Sequence, residues 1–210
     1  MNIIKYIEDN YRVEPGARGE KEIANASRKD LAQLIGKFCK TGAEIGVANG
    51  NYSRYIMEQN PNLKMYGVDP YEVYEGYKDY ALNSTIKHLK EEATEKLKDF
   101  PGYTFVEKFS TDAVKDFEDE SLDFVYIDAN HEDPYVTEDI TEWHKKVRKG
   151  GIVSGHDYAR VRSIEWRYAV VDAVDRYVKK NGIQLYVWGL NSKADPTLVR
   201  EPIRSWMYIK

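Results

Sequence analysis

Two acid–imidazole pairs stand directly after apolar runs of this sequence. Asp128 and His131 follow one predicted strand, and His156 and Asp157 follow the next. Carboxylates such as Asp128 and Asp157 are ligands for hard cations such as Mg²⁺, which lower the pKa of a bound hydroxyl group. Imidazole titrates near neutral pH and is a common general base, whereas a loop histidine also caps backbone groups without any catalytic role. The four side chains therefore offer metal-assisted activation of a hydroxyl or metal-free proton transfer.

Short apolar runs that alternate with helical periodicity must position these side chains, a pattern typical of a mostly parallel sheet covered by helices. The predicted strands are Ala43 to Val47, Lys64 to Val68, Thr104 to Lys108, Leu122 to Ile127, Ile152 to Ser154, Gln184 to Trp188 and Trp206 to Ile209. The last two have no helix between them and should be antiparallel. We predict an α/β fold with a Rossmann-like, seven-stranded, mostly parallel sheet, a C-terminal antiparallel hairpin strand and helices on both faces. The acid–imidazole pairs then converge at one edge.

Helical spacing of apolar residues places the helices between these strands. Residues Ile23, Leu31, Leu34, Ile35 and Phe38 share one side of a helix that precedes the first strand. Further helices are predicted from near Tyr52 to a point before Pro61, and over about Tyr80 to Phe100, Val136 to Val147 and Ile164 to Lys180. Trp143 and Trp166 are expected in the core, as is Cys39. We interpret 1–40 as a helical cover segment and 41–210 as the ligand-binding domain, the whole forming one structural domain.

A glycine-containing turn follows the first predicted strand, in the segment from Glu44 to Gly50. Ligands of such sheets bind outside the strand carboxyl ends, and glycines let the backbone pass close to them. We expect ligand contacts from Glu44, Gly46, Ala48, Asn49 and Gly50. About 20 residues further on, Asp69 ends the second strand and is placed to accept hydrogen bonds from a ribose diol. A purely structural tight turn is the alternative.

The identity of the nucleotide follows from the acid before the glycines. A dinucleotide site prefers three glycines and a pyrophosphate at the helix N-terminus, but this turn has only Gly46 and Gly50. Glu44 would repel a pyrophosphate and would attract an ammonium group. S-adenosylmethionine carries an ammonium group, a ribose and an adenine, and so matches this turn.

The segment Glu44-Ile45-Gly46-Val47-Ala48-Asn49-Gly50 resembles motif I of the class I S-adenosylmethionine-dependent methyltransferases. The stretch from Asp123 to His131 and the stretch from Lys149 to Tyr158 resemble those of a small-molecule O-methyltransferase subgroup. The closing hairpin also resembles that fold. The resemblance covers the chain from about Glu44 to its end and implies methyl transfer to the hydroxyl of a natural product or sugar.

The resemblance also implies roles for individual residues. Glu44, Gly46 and Gly50 would surround the methionine part of the cofactor, and Asp69 its ribose. Ser110 would lie near the adenine and Asp128 near the transferable methyl group. Some relatives bind a metal at the two strand ends, which implies Mg²⁺ on Asp128 and Asp157. This sequence departs from that pattern, because Asn130 and His156 stand where those relatives often place acids. A histidine that acts as general base without a metal is therefore favoured. Of the two candidates, His131 is preferred to His156.

Alternatives of other classes remain open at this stage. An NAD-dependent oxidoreductase would use the same sheet, and a module that binds the cofactor without catalysis would keep the pocket. The tyrosines Tyr71, Tyr74, Tyr77 and Tyr80 would form either a lid over an acceptor or one packed face of a helix.

The amino-acid composition restricts the binding partners and the cellular compartment of the protein. A net charge of -4 with scattered bases argues against a nucleic-acid partner. The single cysteine permits no intrachain disulfide, which favours the cytoplasm, and no apolar run approaches the length of a membrane span. We expect a small-molecule acceptor and, as in many such enzymes, a homodimer, although no residue demands one.

Overall fold

The structure is a computed structural model that describes residues 2–74, 83–159, 168–189 and 203–210. Within these ranges nine strands form a single sheet. The strands are β1 (Arg12–Pro15), β2 (Lys21–Ala24), β3 (Thr41–Ile45), β4 (Lys64–Val68), β5 (Tyr103–Val106), β6 (Leu122–Ile127), β7 (Val147–Gly155), β8 (Tyr186–Trp188) and β9 (Ser205–Ile209). The helices are α1 (Ile3–Asn10), α2 (Arg28–Phe38), α3 (Asn51–Gln59), α4 (Asn83–Leu97), α5 (Ser110–Ala113), α6 (Tyr135–Lys146) and α7 (Tyr168–Asn181), and a 3₁₀ turn spans Val114–Asp116.

The strand order across the sheet is β1-β2-β8-β9-β7-β6-β3-β4-β5. Strands β3, β4 and β5 run parallel in one direction across the sheet, and β6 and β7 continue in parallel on the other side of β3. Strand β9 is antiparallel to both β7 and β8. The predicted Rossmann-like sheet with its C-terminal hairpin is confirmed, and β1 and β2 extend it by two strands. The order reverses between β3 and β6, which is where such folds bind ligands.

The N-terminal segment departs from the helical prediction. Strand β2 pairs in parallel with β8, so that Ile23 lies opposite Trp188 in a strand and not on the predicted helix. Helix α2 begins only after Ser27, whose side chain and that of Asp30 form a reciprocal capping box. The prediction of a helical segment over 1–40 is therefore wrong for β1 and β2. The partner strand β8 is so distant in sequence that local periodicity gave no sign of the pairing.

Helices cover both faces of the sheet, as predicted. One apolar cluster joins α1, α2, α3 and α4 to the sheet, and the other joins α6 and α7 to its opposite face. Cys39 and Trp143 are buried in these clusters, as expected. Helices α4 and α7 occupy the described parts of the helices predicted from Tyr80 and Ile164, and Trp166 lies outside the described residues. Among the helices of the described ranges, none has the length and apolar character that crossing a bilayer requires.

Candidate active site

A cavity of about 750 Å³ opens at the carboxyl ends of the central strands. This volume is in the range of small-molecule and cofactor sites. The predicted site residues that line it are Glu44, Gly46, Ala48, Asn49, Asp69, Ser110, Asp128, His131, His156 and Asp157. Gly50 alone among the predicted site residues does not line the cavity. The convergence expected from the strand ends is thus present in the structure.

The two motif glycines serve packing. Gly46 has a φ of 90°, and a Cβ atom built on it would lie 2.2 Å from the carbonyl oxygen of Asp128. Only glycine therefore lets the turn after β3 lie against the backbone at the end of β6. Gly50 is the N-cap residue of α3 and adopts the left-handed conformation, and a Cβ atom there would lie 3.0 Å from Cα of Ala93 on α4. Gly46 thereby fixes the distance between the turn and Asp128.

Asp69 organises the turn from the next strand. Its Oδ2 atom accepts hydrogen bonds from the backbone N–H groups of Val47 and Ala48, each at 3.0 Å. Ala48 has a φ of 47°, which is unfavourable for a residue with a Cβ atom, so these bonds stabilise a strained turn. Burial raises the pKa of Asp69, against the lowering effect of its backbone hydrogen bonds. A carboxylate oxygen accepts more than one hydrogen bond, so these bonds do not preclude the predicted ribose contact.

Glu44 is a buried acid beneath the turn. The residue is 2% exposed, and its carboxylate accepts a hydrogen bond from the hydroxyl of Ser53 on α3. Burial raises the pKa of Glu44 to about 8, although the Ser53 hydrogen bond opposes this shift and Asp128 adds to it. A buried carboxyl group of this kind gains from a neighbouring cation. The wall of the cavity therefore favours a positively charged ligand group at this point.

The four predicted catalytic candidates form one cluster. Nε2 of His131 lies 3.0 Å from Oδ2 of Asp157 and 3.3 Å from Oδ1 of Asp128. Nδ1 of His156 lies 3.1 Å from the same Oδ2 atom of Asp157. Burial alone would raise the pKa of Asp157, but the hydrogen bonds and charges of the two imidazoles hold it well below its usual range. Asp157 is therefore an ionised carboxylate that orients two histidines.

The same cluster tests the predicted Mg²⁺ site. Asp128, His131 and Asp157 offer ligand atoms that lie within 4.8 Å of one another. Mg²⁺ prefers an octahedron of oxygen ligands and keeps several waters. Here an imidazole nitrogen lies between the two carboxylates, at hydrogen-bonding distance from Asp157. The donor set does not fit Mg²⁺, and the prediction of Mg²⁺ on Asp128 and Asp157 is not supported.

A second buried acid lies beside Ser110 at another part of the cavity wall. Asp139 on α6 accepts a hydrogen bond from the Ser110 hydroxyl, which in turn accepts one from Nε1 of Trp143 at 2.8 Å. Asp139 is 5% exposed, and burial raises its pKa to about 7, although the Ser110 hydrogen bond lowers it. Sequence reasoning missed Asp139, because helical spacing placed its neighbours in the core and gave no sign that this turn reaches the cavity.

Arg28 is a further cavity residue that sequence reasoning missed. It lies in the first turn of α2, its guanidinium carbon is 5.5 Å from the centroid of the Tyr52 ring, and its charge lowers the pKa of Glu44. The capping pair Ser27 and Asp30 marks the start of the helix in the sequence. The direction of the Arg28 side chain depends on how α2 packs against α3, and this packing cannot be read from the sequence.

The tyrosine-rich stretch contributes two described side chains to the cavity wall. The Tyr71 hydroxyl donates to the carbonyl of Ala48 at 3.0 Å, so Tyr71 packs on the turn. The Tyr74 hydroxyl accepts from Nδ2 of Asn130 at 3.0 Å, which joins the segment after β4 to that after β6. Tyr77 and Tyr80 lie outside the described residues. The choice between a lid and a packed helix face stays open.

A Rossmann-like sheet with an acid-led glycine turn and an acid–imidazole cluster at its reversal point defines a nucleotide-binding α/β enzyme. The model of a methyltransferase-domain family matches residues 43–158. The chain belongs to this methyltransferase family, which confirms the prediction of a class I S-adenosylmethionine-dependent methyltransferase. The predicted NAD-dependent alternative is not favoured.

Solved structures with the same fold are similar over most of the chain. A provisionally named caffeoyl-CoA O-methyltransferase from Staphylococcus aureus is 15% identical, with 99% of this chain and 90% of that one covered and a TM-score of 0.61. An O-methyltransferase from Bacillus cereus, in complex with SAH, is 12% identical, with 99% and 89% covered and a TM-score of 0.59. TomG, an O-methyltransferase from Streptomyces achromogenes involved in tomaymycin synthesis and solved with SAM, is 13% identical, with 87% and 79% covered and a TM-score of 0.59. No curated protein matches the chain.

Proposed function

We propose that this enzyme transfers the methyl group of S-adenosylmethionine to a hydroxyl group of a small molecule, a natural product or a sugar. The observation that carries the proposal is the pair formed by His156 and Asp157, 3.1 Å apart on the wall of the cavity that Glu44 and the glycine turn also line. The structural neighbours named as O-methyltransferases support an oxygen acceptor.

The walls of the cavity suit the charges of the cofactor. The buried carboxyl of Glu44 would pair with the methionine ammonium, and the Arg28 guanidinium would pair with the methionine carboxylate. Asp69 would accept hydrogen bonds from the ribose, and Ser110 with Asp139 would lie at the adenine. Asp128 would face the sulfonium and its methyl group. Each assignment pairs a group of the ligand with a residue on the cavity wall that carries the opposite charge or forms a hydrogen bond with it.

His156 is the residue we assign as general base. Its Nδ1 atom faces the ionised Asp157, which fixes the ring tautomer and leaves Nε2 as the nitrogen that takes a proton. Nε2 of His131, the base favoured from sequence, instead faces the carboxylates of Asp157 and Asp128. We therefore give His131 the task of holding the two carboxylates in place.

The chemistry requires one proton transfer by the protein. S-adenosylmethionine supplies an electrophilic methyl group, and its transfer to oxygen leaves S-adenosylhomocysteine as the product. Nε2 of His156 accepts the hydroxyl proton as the oxygen attacks, and the Asp157 carboxylate stabilises the imidazolium that forms. The cavity wall would bring the cofactor and the acceptor together in one orientation, which supplies much of the acceleration in two-substrate reactions.

The test combines titration calorimetry with S-adenosylhomocysteine and transfer of a labelled methyl group to a panel of phenols, catechols and sugars. Native protein should bind S-adenosylhomocysteine and methylate at least one acceptor. His156→Gln keeps an N–H donor for Asp157 but accepts no proton, so turnover should fall by about 10²–10⁴-fold with unchanged binding. Binding without turnover on any acceptor would leave a cofactor-binding module, and no binding would refute the proposal.

The cellular location and the oligomeric state of the enzyme are also part of the proposal. We propose a cytoplasmic enzyme that has no nucleic-acid partner and works as a homodimer. Light scattering of the eluting protein after size exclusion would detect a mass of one chain or two. A single-chain mass at micromolar concentration would refute the dimer and leave the activity proposal intact.

A further inference from the structure

Tyr158 lies directly after Asp157 and is completely buried. Its hydroxyl donates a hydrogen bond to Asp175 on α7 and accepts one from Nη2 of Arg18 at 3.0 Å. Nε of Arg18 lies 3.1 Å from Oδ2 of Asp175, which closes a triangle of three side chains. Arg18 comes from the turn between β1 and β2, so the N-terminal strand pair reaches the residue next to Asp157.

A second arginine holds the same ring. The guanidinium carbons of Arg18 and Arg204 lie 5.3 Å and 5.6 Å from the centroid of the Tyr158 ring. Arg204 is 2.7 Å from Glu22 on β2, and the backbone N–H of Arg18 donates to Glu20 at 2.8 Å. Acids of β2 and of the turn before it therefore contact both arginines.

The backbone connects this network to the carboxylate of Asp157. Asp157 has a φ of 57°, a conformation that residues with a Cβ atom rarely adopt unless their surroundings impose it. The Tyr158 N–H donates to the carbonyl of Arg204 at 2.9 Å, and the Ala159 N–H donates to the carbonyl of Asp157 at 2.8 Å. A fixed Tyr158 thus fixes the turn that directs the Asp157 carboxylate toward His131 and His156.

We propose that Arg18 and Tyr158 are positioning residues, through which the N-terminal strand pair fixes Asp157 between its two histidines. This inference rests on the proposed function for its catalytic consequence. It gives β1 and β2 a task in the reaction although neither strand borders the cavity. The expected effect of losing the network is a lower kcat, with the affinity for S-adenosylhomocysteine unchanged, because Glu44, Asp69 and the glycine turn are elsewhere on the cavity wall.

The test uses Arg18→Met, which keeps the aliphatic stem, and Tyr158→Phe, which keeps the ring and removes only the hydroxyl bonds. Arg12→Met is the matched control, because Arg12 pairs with Glu14 at the exposed side of the same strand pair. Two readouts are needed: calorimetric binding of S-adenosylhomocysteine, and the ring ¹⁵N resonances of His131 and His156 in labelled protein. Both can be recorded without an acceptor.

Arg18→Met and Tyr158→Phe should shift the ring resonances of both histidines and leave S-adenosylhomocysteine binding unchanged, with Arg12→Met matching the native protein in both. With an acceptor from the panel, kcat should fall about tenfold or more while KM for S-adenosylmethionine stays constant. Arg18→Lys, which cannot bridge Tyr158 and Asp175 in the same way, should recover only part of kcat. Native resonances in folded Tyr158→Phe would overturn the positioning role. Failure of native protein to bind S-adenosylhomocysteine would refute the proposed function instead.

Discussion

The Oδ2 atom of Asp157 lies 3.1 Å from Nδ1 of His156, and the same oxygen lies 3.0 Å from Nε2 of His131. One buried carboxylate oxygen therefore contacts two imidazoles, His156 through Nδ1 and His131 through Nε2. Because Asp157 stays ionised, its negative charge is available to stabilise an imidazolium at either ring. The arrangement is comparable to the acid and histidine of a hydrolytic triad, in which the acid orients an imidazole that takes a proton from a hydroxyl group. Here that hydroxyl group would belong to the substrate and not to a serine.

Asp157→Asn should abolish most turnover. The amide keeps the shape of the side chain but removes the negative charge that stabilises an imidazolium at His131 or His156. We expect turnover to fall by about 100-fold or more, with S-adenosylhomocysteine affinity unchanged. Asp133→Asn is a suitable control, since Asp133 is an exposed acid that pairs with Arg176 and does not line the cavity. Turnover near the native level in Asp157→Asn would remove Asp157 from the mechanism.

Mg²⁺ should have no effect on the enzyme. The imidazole of His131 lies between the carboxylates that a cation would bridge, so we expect equal turnover in chelator and in excess Mg²⁺. The measurement is the rate of methyl transfer after dialysis against chelator, with Mg²⁺, Mn²⁺ or Zn²⁺ then added back in separate samples. Loss of activity in chelator that Mg²⁺ restores would contradict the metal-free assignment. Restoration by Mn²⁺ or Zn²⁺ alone would instead assign a site containing His131.

Much of the central sheet could be predicted from the sequence, because its strands are continuous apolar runs bounded by turns. The run from Leu122 to Ile127 is buried along almost its whole length, which gives it a pattern that no exposed segment shares. The glycine turn and the acids at the strand ends follow from that prediction. Their convergence needs only the parallel direction of the strands.

The edge of the sheet and part of the cavity wall could not be predicted. Strand β1 is short and only partly buried, so it carries no clear alternation, and β2 pairs with β8 from the far end of the chain. Arg28 and Asp139 lie on helices whose rotation is set by packing against neighbouring elements. Sequence periodicity identifies a buried helix face but does not say which polar residue at its margin reaches a cavity.

Arg28→Met should weaken the binding of S-adenosylhomocysteine by about 10- to 100-fold, the range expected for one lost charge-assisted hydrogen bond. The substitution removes the guanidinium, which is the proposed partner of the methionine carboxylate and also contacts the Tyr52 ring, and it keeps the aliphatic stem. Calorimetry provides the affinity. Lys29→Met is the matched control, because Lys29 is the next residue of α2 but does not line the cavity. Equal affinities for the native protein and Arg28→Met would place the carboxylate elsewhere.

Binding of S-adenosylhomocysteine should release a proton from Glu44. Burial raises the pKa of this carboxyl to about 8 in the free protein, so it is mostly protonated at pH 7. An ammonium group beside it favours the carboxylate, which lowers its pKa, and about one proton should leave per binding event. Since binding releases a proton, affinity should rise with pH up to about 8 and then level off, because Glu44 is already ionised in the free protein above that pH.

The proton count comes from calorimetry at pH 7 in buffers of different ionisation enthalpy, where a released proton makes the observed heat depend on the buffer. Glu44→Gln should remove this dependence and flatten the pH profile of affinity. Glu72→Gln should leave both unchanged, since Glu72 also lines the cavity but is exposed and is not buried beneath the turn. Native heats that do not vary with the buffer would mean that the ammonium group does not lie at Glu44, and the proposed orientation of the cofactor would have to be abandoned.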